Sequence, residues 1–288
     1  MTTQTTPTVQ AAGRVPSVTW RRFRRNSGAM LGLVLLIVLL VSALLGPLFL
    51  GSATSQELAI RLAPPSTAHL LGTDQLGRDV LARVLQGGRI SLGLGVGVML
   101  SSLLVGSLVG LLAGLRGGWW DEAIMRVTDI FLAFPSLILA MAISAALGPN
   151  LRNVMIAVAL VSWPTYARLV RAQVLALRER EFVEASRALG SSQARIALRH
   201  LLPNTLAPLL VQGSFDVGSA ILTAAGLGFI GFGAQPPTPE WGAIVSETRN
   251  YITQAPWASS APALAILLTV LAFNLLGDGL RDVFDPRR

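Results

Sequence analysis

Long apolar segments alternate with short polar ones along most of this 288-residue chain. Most of the apolar segments run for roughly 20 residues or more, the length that an α-helix needs to cross a hydrocarbon core of ~30 Å. Few charged residues interrupt them, as is typical of helices that face lipid. The pattern predicts an all-α integral membrane protein with six transmembrane helices, near residues 29–50, 88–115, 122–147, 151–170, 203–233 and 259–280.

The polar segments divide the chain between these spans. The first span is longer than the apolar core of a signal peptide, and no small-residue cleavage site follows it, which indicates a signal anchor. We expect the segments to be a basic cytoplasmic tail (1–28), an extracytoplasmic segment with a short helix (51–87), a permease core (88–280) with a cytoplasmic loop (171–203) and an outer loop (234–258), and a second cytoplasmic tail (281–288).

Two local features refine the outer side. Thr73 or Asp74 is suited to cap a short helix that runs through Gln86, because either side chain accepts a hydrogen bond from a free backbone amide. The fifth span ends in a glycine-rich stretch, which favours a break in the helix. Its glycines are Gly226, Gly228, Gly231 and Gly233.

The arginine distribution predicts which side of the membrane each segment occupies. Seventeen arginines fall in the segments assigned to one side and six in those assigned to the other. Positive residues are enriched in cytoplasmic segments. Both termini and the loop 171–203 are therefore predicted to face the cytoplasm.

Composition narrows the chemistry that the chain can perform. Only 13% of the residues are charged and 52% are hydrophobic, whereas soluble domains contain about 25% charged residues. The chain has no Cys, so disulfides and thiol chemistry are excluded. All 23 basic residues are Arg, and a Walker A phosphate loop requires Lys.

The most informative stretch lies in the predicted cytoplasmic loop. Gly190 separates two short helical runs and is suited to a positive φ, while Pro203 suits the first turn of the next helix. Arginine is dense on both sides of this stretch. The residues that stand out are Glu184, Ala185, Ser186, Arg187, Gly190, His200, Leu202 and Pro203.

This spacing resembles the "EAA" loop of permease subunits of binding-protein-dependent ABC importers. That pattern is Glu-Ala-Ala, three residues, Gly, nine residues, an aliphatic residue, any residue, Leu and Pro. Ser186 replaces the second Ala, and His200 stands at the aliphatic position. The resemblance implies that the loop docks into the ATPase subunit and that Glu184 and its small neighbours form the contact.

Further motifs extend the resemblance over residues 20–286, to the dipeptide, oligopeptide and nickel branch and its second, "C"-type permease subunit. It implies the six-helix fold of type I importers in the bacterial inner membrane and a heterodimer with a homologous permease. Two ATPase subunits, which would bind ATP and Mg²⁺, and an extracytoplasmic binding protein complete the implied complex; this chain would bind no cofactor and catalyse no reaction. The motifs are residues 71–79, 133–135, 162–164, 235–237 and 274–282.

Polar residues inside the predicted spans are candidates for a translocation pathway. Asp216 is the deepest charge, and an ionised carboxylate in hydrocarbon is costly unless it finds water or a partner. It either lines the pathway or holds neighbouring helices together. Gln212, Ser219 and Asn274 are further candidates. Separately, small residues every four positions predict close helix packing; they are Ser102, Gly106, Gly110 and Gly114.

The leading hypothesis is therefore the permease subunit of an ATP-driven importer of dipeptides or oligopeptides. The same machinery importing nickel, glutathione or another small solute is the alternative within this class. An ion-coupled secondary transporter is the alternative from another class, but Asp216 is the one acidic residue suited to an intramembrane relay. An intramembrane protease would need a Ser/His pair, an HExxH motif or paired acids, and none of these is evident.

Overall fold

A computed structural model describes residue 21 and residues 23–284 of the chain. Residues 1–20 and Arg22 of the predicted first tail, and residues 285–288 of the second, lie outside this part. The helices are α1 (Ser27–Phe49), α2 (Val80–Arg116), α3 (Gly118–Ala133), α4 (Ser136–Leu147), α5 (Leu151–Leu177), α6 (Glu181–Ala188), α7 (Gln193–Ile196), α8 (Leu202–Ile230), α9 (Trp241–Thr248) and α10 (Pro256–Phe284), with 3-10 turns at Leu58–Ile60 and Arg249–Tyr251 and a π-helical turn at Ala197–Leu201.

The all-α class and the membrane-spanning helices are confirmed. Among the described residues, five helices are long and apolar enough to cross a membrane, and a bent pair makes six when it is counted as one span. The helix of the predicted span 151–170 runs on to Leu177, with α5 beginning at Leu151 as expected. The glycine-rich stretch ends α8 instead of breaking it, because Gly231 takes a left-handed φ of 105° just after Ile230.

The predicted span 122–147 is not one helix. It consists of α3 and α4, which meet at an angle of 92°. Pro135 explains the bend, because a proline drives the preceding residue away from the α region, and Phe134 is extended at φ −92° and ψ 143°. The chain therefore turns sharply inside the apolar region, between α3 and α4.

The expected start of the second span is wrong as well. Asp79, and not Thr73 or Asp74, caps the helix: its Oδ1 accepts a hydrogen bond of 2.7 Å from the Ala82 amide. From Val80 the helix continues without a break to Arg116. Its 37 residues span ~55 Å, far more than the hydrocarbon core. The predicted short helix through Gln86 is thus the first part of α2.

The small-residue stripe on α2 packs closely against another helix, as predicted, and that helix is α5. Ser102 donates a hydrogen bond of 3.3 Å to the Ala159 carbonyl. A Cβ placed on Gly106 or Gly110 would overlap the backbone of α5. Glycine is required at these positions because the two helix backbones lie in direct contact.

Helices α1 and α10 pack side by side and bring the start of α1 close to the end of α10. Asn26 caps α1 by accepting a hydrogen bond of 3.0 Å from Ala29, and its amide donates 2.9 Å to Asp282 near the end of α10. Gly279 lies directly against Ala29. The start of α1 and the end of α10 therefore lie at the same end of the helix bundle, and the cytoplasmic location of that end remains a prediction from the arginine distribution.

Candidate functional site

The loop singled out in the sequence is a short helical hairpin between two spans. After α5 ends at Leu177, α6 carries Glu181 and Glu184 in its first turn, where acidic side chains stabilise the positive end of the helix. Gly190 then has a left-handed φ of 78°, as expected. Pro203 occupies the first turn of α8, also as expected. The loop thus connects directly to α5 and α8.

One face of this loop is anchored in the protein. Val183, Ile196 and Leu201 are buried and belong to one apolar cluster with residues of α5 and α8. The predicted site residues lie mostly on the opposite, accessible side. Ser186, His200 and Leu202 are half-buried, whereas Glu184, Ala185, Arg187, Gly190 and Pro203 are exposed.

The accessible side of the loop carries both apolar and charged groups. Leu189 is 87% exposed and Leu198 is 65% exposed, so both apolar side chains are accessible to a partner. Within the described part of the chain, Glu184 forms no ion pair. Beneath the loop lies a cavity of about 530 Å³, lined by Glu184, Arg187 and Arg178 among others. Exposed leucines and an unpaired carboxylate on the same loop form a surface suited to bind a protein partner.

The two positions that depart from the EAA pattern contact each other. Ser186 Oγ lies 3.4 Å from His200 Nε2. The His200 ring also packs against Phe182, with 6.0 Å between the ring centroids. This pairing ties α6 to the π-helical turn that precedes α8. Sequence reasoning treated the two departures separately, because residues 14 positions apart across a turn give no signal of contact.

We expect Gly190→Val to distort this loop, whereas Gly190→Asn should be tolerated. No heavy atom lies within 4 Å of a Cβ at this position, so the effect arises from backbone conformation alone. A left-handed φ costs a branched residue about 1–2 kcal/mol, while Asn adopts it more readily. Limited proteolysis at Arg187 and Arg195 should be faster in the Val variant. Equal cleavage rates in both variants and the wild type would contradict this prediction.

The predicted pathway residues only partly come together. Gln212 donates a hydrogen bond of 3.0 Å to Asp216 Oδ1, one turn along α8. Asp216 and Ser219 line a cavity of about 310 Å³ between α4, α5 and α8. Asn274 lies exposed on α10 and is not among the residues lining this cavity.

A buried ion cluster on the predicted outer side was missed by sequence reasoning. Asp74 Oδ2 accepts hydrogen bonds from Arg78 Nε at 2.6 Å and from Arg83 Nη1 at 2.7 Å. Glu247 Oε2 accepts from Nη2 of the same two arginines, at 2.5 Å and 3.0 Å. Arg78 and Arg83 are almost completely inaccessible. The four groups, called the outer ion cluster below, join the outer segment to α9.

The start of α9 is held by a second buried acid. Glu240 accepts hydrogen bonds of 2.9 Å from the amides of Gly242 and Ala243, and Ser91 of α2 donates to it at 3.2 Å. Burial raises the pKa of the Glu240 carboxyl, although these three donors act in the opposite direction. Glu240 thus fixes α9 against α2.

Comparison with known proteins gives consistent matches. A family model described as "Binding-protein-dependent transport system inner membrane component" matches residues 106–288, and one described as "N-terminal TM domain of oligopeptide transport permease C" matches residues 17–65. The dipeptide transport system permease protein DppC of Alkalihalophilus pseudofirmus is 45% identical over 93% of this chain and 88% of its own length.

The glutathione transport system permease protein GsiD of Escherichia coli O6:K15:H31 is 47% identical over 93% of this chain and 89% of its own length. Among solved structures, an inward-facing conformation of the MetNI methionine ABC transporter matches with a TM-score of 0.57 and 20% identity. That match covers 70% of this chain and 97% of the other. At this identity it shows a shared fold.

Proposed function

Because this chain belongs to the family of binding-protein-dependent transport system inner membrane components, we propose that it forms part of the channel through which an ABC importer passes small peptides. The resemblance seen in the sequence is confirmed, including the dipeptide and oligopeptide branch and the C-type subunit. The chain is a multi-pass permease subunit of an ABC importer, located in the bacterial inner membrane.

The loop of α6 and α7 is the proposed docking site for the ATPase subunit, and its exposed face is the observation that carries this proposal. Leu189 is suited to fill an apolar recess on the partner, and Glu184 is free to pair with a partner arginine. The partner ATPases would bind and hydrolyse ATP with Mg²⁺. This chain would bind no cofactor, and its own contribution to transport would be a change of conformation.

The connections of the loop suggest how that movement reaches the channel. Helix α5 ends at Leu177, where the loop begins, and α8 begins at Leu202, directly after the loop. The same two helices bound the cavity at Asp216. A displacement of the loop by the closing ATPases would therefore tilt two of the helices that form this cavity and expose it to alternate sides of the membrane.

The complete transporter would contain a homologous permease subunit beside this one, two ATPase subunits and an extracytoplasmic binding protein. The exposed polar side of the Asp216 cavity supports a second permease there. Ser136, Thr165 and Ser219 are exposed at its mouth, and polar side chains within membrane helices usually face the bundle interior or a water-filled cavity. A second permease chain would enclose them in a shared channel.

We propose dipeptides and short oligopeptides as substrates, in line with the dipeptide permease that shares 45% identity with this chain. Glutathione is the second candidate, because the glutathione permease shares 47% identity over a similar length. Both are peptides with a free amino group and a carboxylate. Uptake of labelled dipeptide and of glutathione by the reconstituted complex would separate the two.

We expect Glu184→Lys to uncouple the transporter while leaving the permease in the membrane. A charge reversal at the proposed contact replaces attraction by repulsion, and one charge-assisted hydrogen bond corresponds to roughly tenfold or more in affinity. The measurement is ATP hydrolysis by the purified complex in proteoliposomes, with and without peptide-loaded binding protein. Stimulation by the loaded binding protein should be lost.

Glu122→Lys is the matched control for this experiment. Glu122 is an exposed acid on α3, and its ion pair with Arg126, at 3.6 Å, lies open to solvent. Such pairs contribute little. Stimulation should survive in this variant. Retained stimulation in Glu184→Lys would remove the docking assignment, and a wild-type complex that no loaded binding protein stimulates would remove the proposed function itself.

A further inference from the structure

The cavity at Asp216 has an unusual lining for a space between membrane helices. Besides apolar groups, it presents hydroxyl groups from three different helices together with one carboxylate. No Arg or Lys is among the residues that line it. Its volume of about 310 Å³ is at the lower end of the range for small-molecule sites. The hydroxyl groups belong to Ser136, Ser162, Thr165, Ser219 and Thr223.

The carboxylate of Asp216 retains hydrogen-bonding capacity. Its Oδ1 accepts a hydrogen bond from Gln212, and the buried hydroxyl of Tyr166 is a second neutral donor that acts on the same carboxylate. Neither donor carries a positive charge. A carboxylate offers about four acceptor positions, so at least two remain for a ligand. Asp216 is half-buried at the wall of this cavity, and a carboxylate without a cationic partner between membrane helices is suited to bind a positive group that enters the cavity.

The lining specifies the chemistry of that partner. A metal ion is disfavoured, since the described residues contain no group of three or more His, Cys, Asp or Glu side chains. An ammonium group instead donates three hydrogen bonds and needs one negative charge with neutral acceptors around it. Ser162 shows that such acceptors are available, because its proton is donated to the Val158 carbonyl and its oxygen can still accept.

We propose that this cavity binds the protonated amino group of the transported peptide, with the Asp216 carboxylate as its counter-charge and the surrounding hydroxyls as further acceptors. The inference rests on the proposed function and deepens it, since it places substrate recognition inside the permease. Gln212 positions the carboxylate. Because α5 and α8 carry both the cavity and the loop, the site would open and close with ATP-driven movement of the loop.

The first test measures transport by the complete complex in proteoliposomes. With saturating binding protein loaded with alanyl-alanine, Asp216→Asn should lower the uptake rate by roughly tenfold, the value of one charge-assisted hydrogen bond. Stimulated ATP hydrolysis should stay close to the wild-type value, because the loop is unchanged. Asp278→Asn is the matched control: it makes the same substitution at an exposed position of α10 and should leave uptake unchanged.

The second test detects binding without relying on transport. Dicyclohexylcarbodiimide, an apolar reagent for carboxyl groups, is applied to the complex without binding protein, and modification of Asp216 is quantified by mass spectrometry. Alanyl-alanine should protect Asp216 from modification. Propionyl-alanine, which has the same skeleton with hydrogen in place of the amino group, should not. The Asp216→Asn complex provides the background of the assay.

The results distinguish a failure of the proposed amino-group site from a failure of the proposed importer function. Equal protection by both compounds, or protection by neither, would overturn the amino-group site even if Asp216→Asn impairs uptake, because the carboxylate would then be only structural. Wild-type uptake by Asp216→Asn would overturn it too. In each case the complex would still hydrolyse ATP in response to the loaded binding protein, and the proposed function would stand.

Discussion

Replacing Gly110 by Val is expected to prevent the bundle from assembling, with little or no folded protein recovered from the membrane. A Cβ at this position would overlap the Ala167 carbonyl oxygen and lie 3.0 Å from both the carbonyl carbon and the Cα of Ala167. These are backbone atoms of α5, so no side chain can turn aside. Relief requires α2 and α5 to separate along the whole contact, which costs about 1–3 kcal/mol or more.

Gly93→Val provides the control on the same helix. No heavy atom lies within 4 Å of a Cβ at Gly93, and the residue is exposed. Both variants carry the same change in helix propensity, so the difference between their stabilities reports the effect of helix packing alone. Size-exclusion profiles in detergent and thermal unfolding should show a monodisperse Gly93→Val protein and an aggregated or strongly destabilised Gly110→Val protein. Similar profiles for both would contradict the packing argument.

Much of the fold was predictable because the membrane imposes simple rules. The thickness of the hydrocarbon core sets the minimum length of a span. Because no water is present there, backbone amides must form hydrogen bonds within the protein, and an α-helix achieves this within a single segment. Small residues at intervals of four predicted a close helix contact, which the structure shows between α2 and α5. The turn at Gly190 was predictable as well, because a glycine between two helical runs favours a left-handed φ.

The features that the sequence did not predict depend on local backbone geometry and on tertiary contacts, which hydropathy does not report. The bend at Pro135 follows from a local rule, yet hydropathy alone joined α3 and α4 into one span. The start of α2 was misplaced because Thr73, Asp74 and Asp79 are all plausible caps by residue type. Only the tertiary structure decides between them. Two arginines bind Asp74 Oδ2, and its Oδ1 accepts hydrogen bonds from the amides of Leu76 and Arg78 in a turn that precedes the helix.

The outer ion cluster illustrates the same limit over a longer distance. Arg83 and Glu247 lie 164 positions apart, and no spacing rule connects them. The motif around Arg78 contributed only to a family resemblance in the sequence. The structure gives it a physical role: it supplies buried charges that fix the outer segment to α9, which packs on the ends of α8 and α10.

Arg83→Met is expected to destabilise the outer side of the permease by about 3–5 kcal/mol, the usual cost of removing one partner from a buried ion pair. The four charges of the cluster balance as two positive and two negative groups. Without Arg83, two carboxylates would share Arg78 in a region almost closed to water. The outer segment should detach from α9, which limited proteolysis within residues 51–79 would detect. Arg61→Met, at an exposed position of the same segment, should have no such effect.

The double variant Arg83→Met with Glu247→Gln decides whether the cost comes from the unbalanced charge. Removing one positive and one negative group restores neutrality around Asp74 and Arg78, which remain joined at 2.6 Å. The double variant should therefore be more stable than the sum of the two single changes predicts, as coupled buried charges require. Strictly additive effects on thermal unfolding would mean that the arginine acts through its packing alone, and the cluster would then be no electrostatic link between the outer segment and α9.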